Sequence, residues 1–299
     1  MRRRVLPILA VSLLAGAALT GCTTAGAANS SADLCVPGIG PGALRDSVRI
    51  SGDNAETFRV GSLADADLLN SERSLTVAAD DRSAVAGEGS IVTGTLAYVD
   101  AATSAVLRNS PEFMQGGGTE VFLASSGDVF SASLLCAAPG DVVSVVLSEQ
   151  DSAGFNYMGG KLLLIAEITD VSGVAAEGRA QALPSGFPAV TTDADGRPGV
   201  VLPPQEAPAD SRDAARIKGT GEVVAAEQIV IGNVLSVNWS GDVQQNTWQT
   251  MVMSFGSEEA TQSRFRAALT GYPIGSQVVV IDAGEGGAVV HVVDILAAV

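Results

Sequence analysis

Residues 130–140 and 265–275 carry the same pattern, and this internal repeat limits the fold more than any single propensity. Phe130 stands over Phe265, Ala132 over Ala267, Leu134 over Leu269 and Gly140 over Gly275, without a gap. Beyond the glycine, Val143 and Val145 stand over Val278 and Val280. Each copy then reaches a last apolar segment in which an acid precedes isoleucine: Glu167-Ile168 in one, Asp294-Ile295 in the other. Repetition on this scale predicts two similar units.

Runs of Val, Ile, Leu and Thr at 91–98, 142–147, 161–168, 234–239, 278–281 and 288–296 are bounded by Gly, Asp and Pro, and predict strands. Amphipathic helices are few; the two best begin at Phe130 and Phe265. Strand, short helix, glycine turn, strand, hairpin, strand is therefore written twice. The expected class is α+β and β-rich, with two domains, each an antiparallel sheet wrapped on one short helix. Residues 172–213 hold Pro184, Pro188, Pro198, Pro203, Pro204 and Pro208, which forbid long regular structure and predict a linker. Within it, Asp193, Asp195 and Gly196 faintly suggest a calcium loop but lack its later acidic ligands, so a plain Asp-Gly turn is preferred.

Arg2, Arg3 and Arg4 precede an apolar run over 5–18 and then Leu19-Thr20-Gly21-Cys22. A basic start, an apolar core too short to span and a small residue before the cut describe an export signal. The tetrapeptide resembles the lipobox of bacterial lipoproteins, which implies a signal peptide over 1–21 and lipidation of Cys22. The expected location is the extracytoplasmic face of a cell membrane, held by the lipid anchor. Residues 22–73 are expected to form a lipidated tether and N-terminal segment, 74–171 the first domain, 172–213 the linker and 214–299 the second domain. Cys35 and Cys136 remain, and an even pair in an exported chain predicts a disulfide, the alternative being two free buried thiols.

The chain has 299 residues and a formal charge of −16; without the three leading arginines, 14 basic against 33 acidic residues leave about −19. Such a surface repels phosphate backbones, so no nucleic-acid partner is expected. His291 is the single histidine, which sets aside two-histidine metal sites and the H-E-x-x-H zinc motif. There is no G-x-S-x-G, no P-loop and no dinucleotide fingerprint. No metal and no cofactor are expected.

Val237 to Gly241 with Trp239 inside it, then Trp248, then Phe265 through Gly275 to Ile281, then Val289 to Leu296, resembles an FKBP-type peptidyl-prolyl isomerase domain. The first unit resembles a more diverged copy. With the lipobox-like start, the whole resembles exported actinobacterial FKBP-type lipoproteins. In that family a sheet wraps one helix, with an aromatic-lined pocket between them. The resemblance implies a catalytic pocket of Trp239, Trp248, Phe265 and His291 in the second unit, with Phe130 as the pocket candidate of the first, where Gly94 replaces the family's strand tyrosine. The implied partners are exported polypeptides containing X-Pro bonds. Rotating such a bond crosses a barrier of about 18–20 kcal/mol without nucleophile, metal or proton shuttle. An FKBP-fold module that binds polypeptide without catalysis is the alternative.

Overall fold

The computed structural model describes residues 35–40, 48–52, 57–61, 70–111, 113–115, 120–194, 196–249, 252–256, 264–284 and 286–299. The signal segment, Cys22 and Asp195 lie outside the described residues. In chain order the strands of the first half are β1 (Ile50–Ser51), β2 (Arg59–Val60), β3 (Glu72–Val77), β4 (Ile91–Asp100), β5 (Val106–Asn109), β6 (Glu120–Leu123), β7 (Val142–Val146) and β8 (Leu162–Ser172). Helix α1 (Val129–Leu134) follows β6, and α2 (Glu149–Ala153) follows β7. The second half contributes β9 (Arg179–Ala180), β10 (Ala189–Thr192), β11 (Pro198–Val201), β12 (Arg212–Lys218), β13 (Val230–Asn238), β14 (Val243–Asn246), β15 (Met253–Phe255), β16 (Gln277–Gly284) and β17 (Gly287–Ala298). A 3-10 helix at Arg264–Leu269 stands where α1 stands in the first half.

The protein is β-rich and its strand pairings are antiparallel. One sheet runs β3-β7-β8-β4-β5 with β6 also on β4; the other runs β14-β13-β17-β16-β12-β9 with β15 also on β13. Read from β12, the second sheet has the strand order of the first. The irregularities recur too. A bulge between Leu75 and Val77 matches one between Ala215 and Ile217, and one between Thr93 and Gly94 matches one between Ile231 and Gly232. A third, between Tyr98 and Val99, matches that between Ser236 and Val237. Bulges redirect side chains and fix register, so three in equivalent places give both sheets the same pattern of inward and outward positions. Glu167 and Asp294, paired from the sequence, lie opposite Thr95 and Asn233 at this shared register.

Strand alternation gives each sheet two buried faces. On the front of the first, Val92, Leu96, Val143, Val145, Leu164 and Ile168 pack with Phe130 and Leu134 of α1. On its back, Ala97, Val99, Leu163 and Ile165 pack with Val48, Phe58 and Val60 from the β1–β2 hairpin. The second sheet is arranged alike. Its front carries Val234, Val278, Val280, Val293 and Ile295 against Phe265 and Leu269. Its back carries Leu235, Val237, Val279, Ile281, Val290 and Val292 against Phe187, Val190 and Val200.

The stretch expected to be a linker is therefore partly structural. Its prolines do limit strand length, since β9, β10 and β11 have two, four and four residues. Yet the β10–β11 hairpin covers apolar surface that would otherwise meet water. Asp193 makes the turn of that hairpin, accepting from the Arg197 amide at 2.8 Å.

Cys35 and Cys136 are joined by a disulfide across 101 residues, with Cα atoms 5.7 Å apart. Beside it, fully buried Asp141 pairs with Arg82 and accepts from the amides of Ala79 and Ala138, each at 2.8 Å. With that many partners the carboxylate pins the turn after α1 to the start of the first sheet.

Candidate functional site

The front face of each sheet opens on the same pair of phenylalanines. Phe122 lies opposite Val92 on β4, and Phe255 lies opposite Val230 on β13, which is the same place in the shared register. Phe122 meets Phe130 edge to face at 5.3 Å; Phe255 meets Phe265 at 5.2 Å in the same manner. Phe130 and Phe265 are 8% and 5% exposed, so each forms the floor of its face. Edge-to-face pairs set ring orientation through their quadrupoles, in addition to the area they bury.

Around that common floor the two faces differ. In the first, Phe155 stands 6.2 Å from Phe130, and Tyr98, Phe122, Phe155 and Tyr157 all pack half-buried against the Phe130 cluster. The Tyr157 hydroxyl donates to the Asp100 carboxylate. That bond holds the Asp100 carboxyl below its ordinary range and pushes the Tyr157 hydroxyl up. Burial raises the Tyr98 hydroxyl, and the Arg108 guanidinium lies 4.5 Å over the Tyr98 ring. The result is an aromatic basin with the Asp100 carboxylate and the Arg108 guanidinium at its rim.

In the second, the floor borders a cavity of about 580 Å³ lined by Ser236, Gln244, Gln245, Phe265, Asp282, Val289 and His291. The His291 ring lies 4.5 Å from that of Phe265, tilted by 35°. Its Nδ1 is 2.8 Å from the Ser236 hydroxyl. Burial lowers the imidazole from 6.5 to about 4, against the smaller opposing pull of Asp282, so the ring is neutral at neutral pH. Among the described residues most of the lining is polar, and two rings, Phe265 and His291, face the cavity.

Of the four residues assigned to the second pocket by resemblance, Phe265 and His291 come together, while Trp239 and Trp248 lie elsewhere. β13 alternates Val234 and Ser236 to the front with Leu235 and Val237 to the back. Trp239 continues the back row, and both tryptophans pack on the back-face cluster beside Phe187, Val190 and Leu202. Trp239 also donates to the Gln205 carbonyl at 3.0 Å, which ties it to the covering segment. Phe130 lies among the aromatics of the first basin.

The sequence reading missed Tyr98, Asp100 and Phe122 on the first face, and Ser236, Gln244, Gln245 and Asp282 on the second. A signal for Tyr98 exists: Val92, Leu96 and Tyr98 share strand parity on the helix side. Gly94 does not take the place of a pocket tyrosine. A Cβ there would lie 2.0 Å from the Glu167 carbonyl oxygen, so the position is a bulge that admits only glycine. Tyr98, opposite Leu164, is the register counterpart of Ser236, opposite His291.

No protein-family model and no curated protein matches the chain. Among solved structures it is similar to the crystal structure of the three FKBP domains of wheat FKBP73, at 12% identity and a TM-score of 0.32, over 77% of this chain and 95% of that one. A likeness at that score carries no assignment.

Proposed function

We propose that this protein is a membrane-tethered, extracytoplasmic FKBP-type peptidyl-prolyl isomerase that assists the folding of exported polypeptides, with the Phe130 basin as its prolyl site. The observation that carries the reading is the gathering of Tyr98, Phe122, Phe155 and Tyr157 around Phe130 on the sheet face that packs the short helix α1. A proline ring against such walls leaves water, and the amide beside it loses the solvation that favours its planar, charge-separated form. That lowers a barrier of about 18–20 kcal/mol with no bond made or broken. The two sheets, alike in strand order and bulges, are read as two FKBP-like domains over 74–171 and 214–299. Residue resemblance alone favours the second; the front-face aromatics favour the first. Export and anchoring through lipidated Cys22 rest on the N-terminal residues, and the Cys35–Cys136 bridge suits an oxidising compartment.

A second reading, a binding module without turnover, draws support from the polar lining of the cavity at Phe265. Protease-free prolyl isomerisation by residues 23–299 separates the two. Acceleration is expected in the wild type and in Phe265→Ala, and is expected to fall roughly tenfold or more in Phe130→Ala. Because Phe130 is core, half-buried Phe155→Ala serves as a second variant that leaves the fold intact, verified by circular dichroism. A folded wild type without acceleration overturns the enzyme and leaves the binding module.

A further inference from the structure

The described lining of the second sheet's cavity carries a carboxylate and two carboxamides. Among the described residues Asp282 is the one charged residue in its lining. Its carboxylate accepts from the Ser211 hydroxyl at 3.5 Å, and among the described residues no arginine or lysine pairs with it. Gln244 turns its amide N–H toward the Asp242 carbonyl, and Gln245 turns its own toward the Met253 sulfur. Among the described residues neither carboxamide oxygen accepts a hydrogen bond. His291 adds no positive charge, since burial keeps it neutral. Val289 and the Phe265 and His291 rings supply apolar wall. The space thus offers one uncompensated carboxylate, two free amide oxygens and a flat apolar flank.

We propose that this cavity receives a basic side chain of a bound polypeptide, arginine ahead of lysine, with Asp282 as its counter-ion. A guanidinium presents five N–H donors in a rigid fork, is weakly hydrated and lies flat against rings and aliphatic groups, so it matches all three features at once. An ammonium satisfies the charge but not the spread of acceptors. The occupant's class rests on the polypeptide-handling part of the proposed function; isomerase turnover plays no role in it.

His291 is the only histidine, so its ring signals report on this cavity alone. Residues 23–299 are titrated with acetyl-Gly-Arg-Gly-amide and with the same peptide carrying citrulline, the neutral analogue, while the His291 ring protons are followed by NMR. Neither peptide contains proline, so failure of isomerase activity leaves the outcome unaffected. The arginine peptide is expected to shift the ring saturably in roughly the millimolar range, and the citrulline peptide about tenfold more weakly. Asp282→Asn is expected to remove the difference, and Glu206→Gln, an exposed acid outside the cavity, to preserve it. Equal binding of both peptides, no shift of the ring, or an equal loss in Glu206→Gln overturns the proposal, the last by showing only diffuse attraction to an acidic surface.

Discussion

A Cβ built on Gly232 would stand 2.0 Å from the carbonyl oxygen of Asp294. The obstacle is backbone in the neighbouring strand, which cannot swing aside, and Gly94 faces Glu167 with the same separation. Gly232→Ala and Gly94→Ala are each expected to destabilise by about 3 kcal/mol or more, beyond ordinary overpacking. Chemical denaturation of each variant measures this. A loss under about 1 kcal/mol in either would mean that its bulge can open.

The six strands predicted from apolar runs are all present, and so is the gap-free match from Phe130 to Gly140, because both rest on burial that the residues themselves record. Less legible was which face a side chain takes. The resemblance put Trp239 in a pocket, but strand parity from Val234 onward sends it to the back. The short hairpins were hidden for a different reason: β10 and β11 are held by contact with the sheet they cover, not by local pattern. The aromatic basin draws residues from β4, β6, α1 and the chain after α2, a juxtaposition that only the folded sheet creates.

Both tryptophans of the chain pack on the back of the second sheet. Binding of a prolyl peptide at either front face is therefore expected to leave tryptophan emission unchanged in position and intensity. A blue shift on saturation would put Trp239 or Trp248 in contact with ligand.

His291 is lowered from 6.5 to about 4, so folding favours its neutral form. Its contribution is complete above pH 6.5 and is lost as pH falls through 6.5 toward 4. His291→Leu, which installs the residue found at the matching position Leu164, is expected to gain on the wild type by up to about 3 kcal/mol between pH 7 and pH 4.5. Urea midpoints at the two pH values provide the check, and parallel changes in both proteins would refute it.

Asp294, three residues along the same strand, acts in the opposite sense. It is fully buried, accepts from the Ala176 amide and the Gln277 carboxamide, each at 2.8 Å, and burial raises it from 3.8 to about 6. The folded state holds the proton more tightly, so stability falls as pH rises from about 4 to about 6. Asp294→Asn should lack that slope, improving relative to the wild type by roughly 2–3 kcal/mol from pH 4.5 to pH 7. Its absolute stability can drop at both values, since one donor then faces an amide N–H, but the difference between them is the readout. A variant that keeps the wild-type slope assigns it to another group.

The Cys35–Cys136 bridge closes a loop of 101 residues around the first sheet. Chain entropy puts its contribution at about 4–5 kcal/mol. Cys35→Ser in residues 23–299 is expected to lower the denaturation midpoint by a matching amount, and added reductant should then have no further effect. A midpoint unchanged by the substitution would mean that the N-terminal segment adds nothing to the stability of the sheet.

Each sheet hands its back to a hairpin drawn from its own upstream chain, β1–β2 for one and β10–β11 for the other. A substitution on that side must satisfy two partners at once, whereas one at the front margin answers only to solvent or to a guest. At the front the two halves differ in chemistry, one lined with aromatic rings and the other with oxygen acceptors. One architecture in this way presents two chemically different faces on a single chain.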